Sequence, residues 1–249
     1  MSSIPVFDIL GLPIHALTPS VFVEMVDASV RERACRSFAG VNAHSLSLAH
    51  EDPAYLQRLR EMDTLYAEGG SIVLASWLLR TSLPAKLTTT DLWPLCCDLA
   101  CREGYSLYLL GGEAGLAEDA AAATQRKWPA IRILGTHHGY FDADDEKVIR
   151  DIDDLRPDLL WVGMGEPKQV DWAHRNRTRL HAGALLTCGG MFRLIAGRQK
   201  RPGPFLHRTG FEWVGRIFHE PGVARRYRRD LPLLASRILH ELIAGKKHS

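Results

Sequence analysis

This chain is short of several things, and each absence removes a class of protein. No run of about 18 apolar residues occurs in its 249 residues, so no segment reads as a membrane-spanning helix. Residues 1–8 carry no basic stretch followed by an apolar core, so no secretory leader is expected. Cysteine is sparse and unpaired. Cys35, Cys96, Cys97, Cys101 and Cys188 are odd in number and show no C-x-x-C spacing. A disulfide framework and a structural zinc site are both unsupported, and a reducing cytoplasm is the expected compartment. No G-x-G-x-x-G opens a helix with an acid about 20 residues on, which weakens a dehydrogenase reading of the glycine turns. Repeats and low-complexity segments are absent as well.

What is present is an ordinary globular composition with a lopsided charge. A hydrophobic content of 46% supports a core of normal size, in one large domain or two small ones. The formal net charge is only +2, yet residues 193–249 hold 13 Lys and Arg against 4 Asp and Glu. An acidic body with a basic tail suits a protein whose tail meets phosphates or an anionic surface. A merely solvated tail is the plainer alternative. Nucleic acid is not an expected partner.

Hydrophobic periodicity alternates strand and helix along most of the chain. Strands are predicted over 4–10, 38–41, Thr64–Ala67, 106–110, 131–134, 158–162 and 184–188. Helices are predicted behind Thr18-Pro19, over 43–62 with a break at Asp52-Pro53, over 72–79, from a cap at Asp91 to about 102, and over Leu116–Lys127, 144–155 and 168–180. This order implies an α/β fold with a mostly parallel, doubly wound, Rossmann-like sheet. Residues 1–197 read as that catalytic body, and 198–249 as a basic helical appendage after the rigid linker Lys200-Arg201-Pro202-Gly203-Pro204. Its last helix, predicted over 231–244, sets Leu234, Ile238, Leu239, Leu242 and Ile243 at helical spacing behind Arg225-Arg226-Tyr227-Arg228-Arg229. That pattern resembles an interfacial membrane helix, or equally a helix packing its stripe on the body.

The most informative segment is 158–169, an apolar strand that enters a glycine-pinched turn and then a proline-started helix. Ligands sit outside the carboxyl ends of strands in open α/β sheets, and a helix N-terminus offers free amides to an anion such as a phosphate. Lys168 and Gln169 are expected at that mouth.

Taken in order, the motifs resemble the bacterial WecG/TagA/CpsF glycosyltransferases over nearly the whole chain. They are Asn42, Glu68-Gly69, Asp91-Leu92, Tyr108-Leu109-Leu110-Gly111 and Gly139-Tyr140-Phe141, then Gly163-Met164-Gly165-Glu166-Pro167-Lys168-Gln169 and Gly189-Gly190-Met191-Phe192. Ala196-Gly197, Arg201-Pro202, Gly210-Phe211-Glu212-Trp213, Arg216 and Glu220-Pro221 complete the set. The resemblance implies an inverting, metal-independent transferase with no cofactor beyond its UDP-sugar donor. The acceptor would be a polyprenyl-diphosphate-linked saccharide at the inner, anionic membrane face, in polysaccharide biosynthesis. A homo-oligomer is left open.

The resemblance also assigns roles. Glu68 stands where the family keeps its catalytic Asp and would take the acceptor proton, while Arg216 and Arg226 match arginines that close over the site. Asn42 and Gln169 would orient sugar or acceptor, because neutral amides both donate and accept. Lys168, Asp91, Gly111, Tyr140, Gly163, Gly165, Gly189 and Gly190 complete the expected substrate wall, with Tyr140 against ribose or base. Asp142-Ala143-Asp144 and Asp151-Ile152-Asp153 match a metal-binding D-x-D by letter but read as capping and solvated charge. The chain departs from the family pattern at several positions: Gly40 for Thr, Glu68 for Asp, Thr89 for Gly, Val170 and Arg193 for acids, and Gly222-Val223 for arginines. A nucleotide-binding relative with lost or altered catalysis is the alternative that these differences raise.

Overall fold

In the computed structural model, residues 4–142, 145–199 and 221–245 are described. Eight strands form one sheet: β1 (Val6–Ile9), β2 (Leu12–His15), β3 (Arg36–Val41), β4 (Thr64–Ala67), β5 (Ser106–Gly111), β6 (Arg132–His137), β7 (Leu159–Gly163) and β8 (Ala184–Thr187). Their spatial order is β1-β2-β4-β3-β8-β7-β5-β6. β1 and β2 pair antiparallel, and every other pairing is parallel.

Helices cover both faces, as a doubly wound sheet requires. One face carries α2 (Ala43–Glu51), α3 (Pro53–Arg60), α4 (Gly70–Leu78), α7 (Glu146–Leu155), α8 (Lys168–Asn176) and α10 (Pro221–Gly245). The other carries α1 (Pro19–Arg31), α5 (Thr89–Glu103), α6 (Leu116–Lys127) and α9 (Met191–Ile195). Strand residues alternate between the two cores with period two: Leu159 and Trp161 face the α5 side, Leu160 and Val162 the α8 side. The Rossmann-like α/β architecture is therefore as the alternation predicts.

The boundaries differ in instructive places. The strand expected over 4–10 is the first arm of a hairpin, whose return arm β2 contains Pro13. Asp91 does not cap α5. Thr88 does, and its hydroxyl donates to Asp91 at 2.6 Å inside the first turn, which leaves Pro94 in the helix interior. β6 runs on through Gly135 to His137, and the ring of Tyr108 lies where a side chain at 135 would go. α8 ends at Asn176, not 180. The last helix starts at Pro221, ten residues earlier than the apolar stripe indicates, and continues through Pro232.

Candidate active site

The parallel strands β4, β3, β8, β7, β5 and β6 are neighbours and end on one edge. That edge gathers, in the same order, Glu68, Asn42, Gly189-Gly190, Gly163 and Gly165, Gly111, and the loop bearing Tyr140. Beyond β3 the chain enters α2 on one face, and beyond the adjacent β8 it enters α9 on the other. Adjacent strands whose connections part in this way open a crevice between them, the usual ligand position in such sheets.

Glu68 is half-buried and held at both carboxylate oxygens. Asn42 caps α2 through its side-chain oxygen, which accepts from the amides of His44 at 2.9 Å and Ser45 at 3.2 Å. Its amide nitrogen is thereby aimed outward and donates to Glu68 Oε2 at 3.1 Å. The buried Thr89 hydroxyl, at the start of α5, donates to Oε1 at 2.9 Å. The Glu68 amide extends the β3 ladder to Val41 O at 2.8 Å. Gly40 completes the fit: a Cβ there would lie 2.9 Å from Glu68 Cβ and 3.1 Å from Oε2. Two donors occupy two of the roughly four lone-pair sites of a carboxylate and leave the others to meet a substrate hydroxyl.

A second carboxyl stands nearby. Glu166 Oε2 accepts from the Tyr55 hydroxyl at 2.6 Å, and Oε1 from Gln169 Nε2 at 2.7 Å. Gln169 Oε1 in turn accepts from the Gly189 amide at 2.9 Å. This chain ties α3, the β7–α8 loop, α8 and the end of β8 together. Burial pushes the Glu166 carboxyl up to about 7, against the two donated hydrogen bonds and with help from the Glu68 charge. Burial, then the Glu166 charge, raises Tyr55 as well. The Gln169 amide, 4% exposed, is thus bonded within the protein at both ends. Lys168 donates to Gly139 O at 2.7 Å and to Phe141 O at 3.4 Å, so it secures the β6 loop. Its ammonium also lies 5.9 Å from the ring centre of Tyr140, which is 74% exposed.

The glycines divide into two groups. A Cβ on Gly111 would lie 2.3 Å from Gly163 O, and one on Gly163 would lie 2.9 Å from Gly189 O, so these two allow neighbouring backbones to touch. Gly165, Gly189 and Gly190 face open space instead, where a ligand can approach the main chain. Asp91 sits in the first turn of α5, two residues beyond Thr89, where a carboxylate complements the helix dipole.

α10 brings basic side chains to the same edge. His44 pairs with the buried Asp230 at 3.0 Å, and Arg237 meets His50 at 3.0 Å, so α10 runs parallel to α2. Since α2 begins at the carboxyl end of β3, the nine residues before Asp230 extend beyond that edge by about 14 Å. This stretch includes the exposed Arg225, Arg228 and Arg229, and Arg226 belongs to it. Arg216 lies outside the described residues.

Other sequence expectations fall elsewhere. Asp151 pairs with Lys147 at 2.6 Å and Asp153 with His181 at 2.9 Å, on the outer side of α7. Of the other acid pair, Asp144 lies outside the described residues. Arg193 is engaged by Glu113 at 2.6 Å. Sequence reading assigns no role to Thr89, Tyr55 or Glu166. A usable signal existed for Glu166, which lies within the quoted motif; Tyr55 lies in a helix with no local sign of its contact.

The profile of the Glycosyl transferase WecG/TagA/CpsF family matches residues 7–248. The chain is also similar to N-acetylglucosaminyldiphosphoundecaprenol N-acetyl-beta-D-mannosaminyltransferases of Staphylococcus aureus. For strains MRSA252 and NCTC 8325 / PS 47 it is 28% identical over 211 residues, covering 84% of this chain and 83% of each relative. The match spans nearly the whole chain, and the chain belongs to the WecG/TagA/CpsF glycosyltransferase family.

Proposed function

We propose that this chain transfers a hexose or N-acetylhexosamine-type sugar from a UDP-sugar to a polyprenyl-diphosphate-linked saccharide, inverting the anomeric centre without a metal ion. The observation that carries the reading is the Glu68 carboxylate, gripped by Asn42 and Thr89 at the carboxyl end of β4. The activity for which the Staphylococcus aureus relatives are named supports the acceptor class. In the reaction the acceptor hydroxyl attacks the anomeric carbon as its proton passes to Glu68, and the bond to the UDP oxygen breaks on the opposite side. A positioned base of this kind is worth about 10²–10⁴-fold in rate. The leaving diphosphate gains negative charge, which basic side chains of α10, with Arg226 and Arg216 as the resemblance assigns them, would meet. Open backbone at Gly165, Gly189 and Gly190 receives the nucleotide, Tyr140 stacks on it, and Lys168, Gln169, Asp91, Gly111 and Gly163 hold the wall in shape. Residues 1–197 act as the catalytic body and 198–249 as an appendage over it, at the cytoplasmic face of the membrane.

The test is Glu68→Gln, which keeps shape and both donors' positions while removing the base. Transfer measured by product mass should fall about 10²–10⁴-fold with UDP binding by calorimetry unchanged. Full transfer by the variant would sink the assignment, and loss of activity in EDTA would sink metal independence.

A further inference from the structure

Helix α4 starts two residues after Glu68, and all nine of its residues, Gly70–Leu78, are uncharged. A surface helix normally turns a polar face to solvent. This one packs Ile72, Ala75 and Ser76 inward and presents Leu74, Trp77 and Leu78 outward, with exposures of 56%, 70% and 37%. Their i, i+3, i+4 spacing makes them one ridge. Along the chain beyond Glu68 the charge has one sign: residues 69–90 contain Arg80 and Lys86 and no Asp or Glu. Arg80 follows the helix cap Leu79 and is exposed.

We propose that this ridge is a membrane-docking element that seats in the headgroup region of an anionic bilayer. The proposal rests on the lipid-linked acceptor of the proposed function. An exposed Trp beside two Leu, flanked by cations, is the composition that partitions into an interface, the indole at headgroup depth and the Leu side chains toward the acyl boundary. The basic tail can supply long-range attraction, which salt screens. The ridge supplies the apolar term. Because α4 spans about 13 Å from its start beside Glu68, docking it holds the base within one helix length of a diphosphate at the bilayer surface.

The full chain, Trp77→Phe and the Leu74→Ser/Trp77→Ser/Leu78→Ser variant are compared on vesicles of phosphatidylcholine and phosphatidylglycerol, some with brominated acyl chains. The difference in bromine quenching between the wild type and Trp77→Phe isolates Trp77 from the other five tryptophans, so quenching should fall in Trp77→Phe. The triple variant should keep its circular dichroism and UDP binding, float about tenfold less, and lose turnover of a vesicle-embedded acceptor while retaining that of a short-chain soluble one. Unchanged flotation of the triple variant, or equal quenching in Trp77→Phe, overturns the proposal. So does a triple variant that floats normally but sediments as a monomer where the wild type is a dimer, which would make the ridge an interface between copies. Reduced flotation with no transfer by the wild type to either acceptor would leave the docking intact and defeat the transferase reading instead.

Discussion

Glu68 occupies space that exists because residue 40 has no side chain. Gly40 pairs with Tyr66 across the β3–β4 ladder, the Glu68 side chain two residues on lies diagonally over it, and Thr89 closes the third side from α5. A β-branched side chain at 40 must push the carboxylate away from Asn42, and a displacement of about 1 Å at a reacting group can cost 10²-fold. Gly40→Thr should therefore lower kcat about 10²-fold and lower thermal stability through overpacking by about 1–3 kcal/mol. Adding Glu68→Asp in the same chain, which withdraws the carboxyl by one methylene, should recover a large part of both. If the double variant is no better than the single in steady-state kinetics and calorimetric melting, the fit is incidental. The sequence displays Gly40, Glu68 and Thr89 as three separate departures from the family pattern. Their mutual contact depends on strand register and on the approach of α5, which no local spacing encodes. Asn42 and Glu68 were legible because each directly follows a short apolar run, where a strand end puts a side chain on the binding edge.

At the scale of elements, long uninterrupted patterns were readable and interrupted ones were not. β5, β7 and β8 are apolar runs bounded by glycine or acid and fall within a residue of expectation. β2 is hidden because Pro13 argues against a strand, and it is tolerated here beside β1 at the sheet's end. α10 is under-read for a similar reason. A proline inside a helix costs about 3 kcal/mol, so Pro232 looks like a boundary. Packing overrides it: Leu234 and Ile238 are buried, and Asp230, 1% exposed, joins His44 and Arg229. Removing that buried acceptor should cost about 1–3 kcal/mol locally. Asp230→Ala is accordingly expected to accelerate hydrogen exchange in α10 with little change in the β5 and β7 amides. Uniform acceleration across the sheet would show instead that α10 and the body unfold as one unit.

For the molecule as a whole, the Tyr55–Glu166–Gln169–Gly189 chain joins elements that are far apart in sequence, so its protonation state is coupled to global folding. Glu166 is raised from 4.5 to about 7, mainly by burial. In that interval the folded protein binds a proton at this site that the unfolded chain releases. The unfolding free energy must then fall as pH rises through it, and level off above the folded value. The stabilising contribution is complete below the unfolded value and gone above about 7, the reverse of the usual ion-paired acid. The full span corresponds to on the order of 3 kcal/mol, an upper figure for a group with some solvent contact. Glu166→Gln preserves both hydrogen bonds, since its oxygen can accept from Gln169 and its amide can donate to the Tyr55 hydroxyl, but it has no charge to bury. Urea unfolding between pH 4.5 and 8 should show wild-type stability declining relative to Glu166→Gln, with the gap opening up to pH 7 and constant beyond. Curves that stay parallel across the range would mean that the carboxyl is already ionised in the folded state and that Tyr55 and Gln169 outweigh its burial.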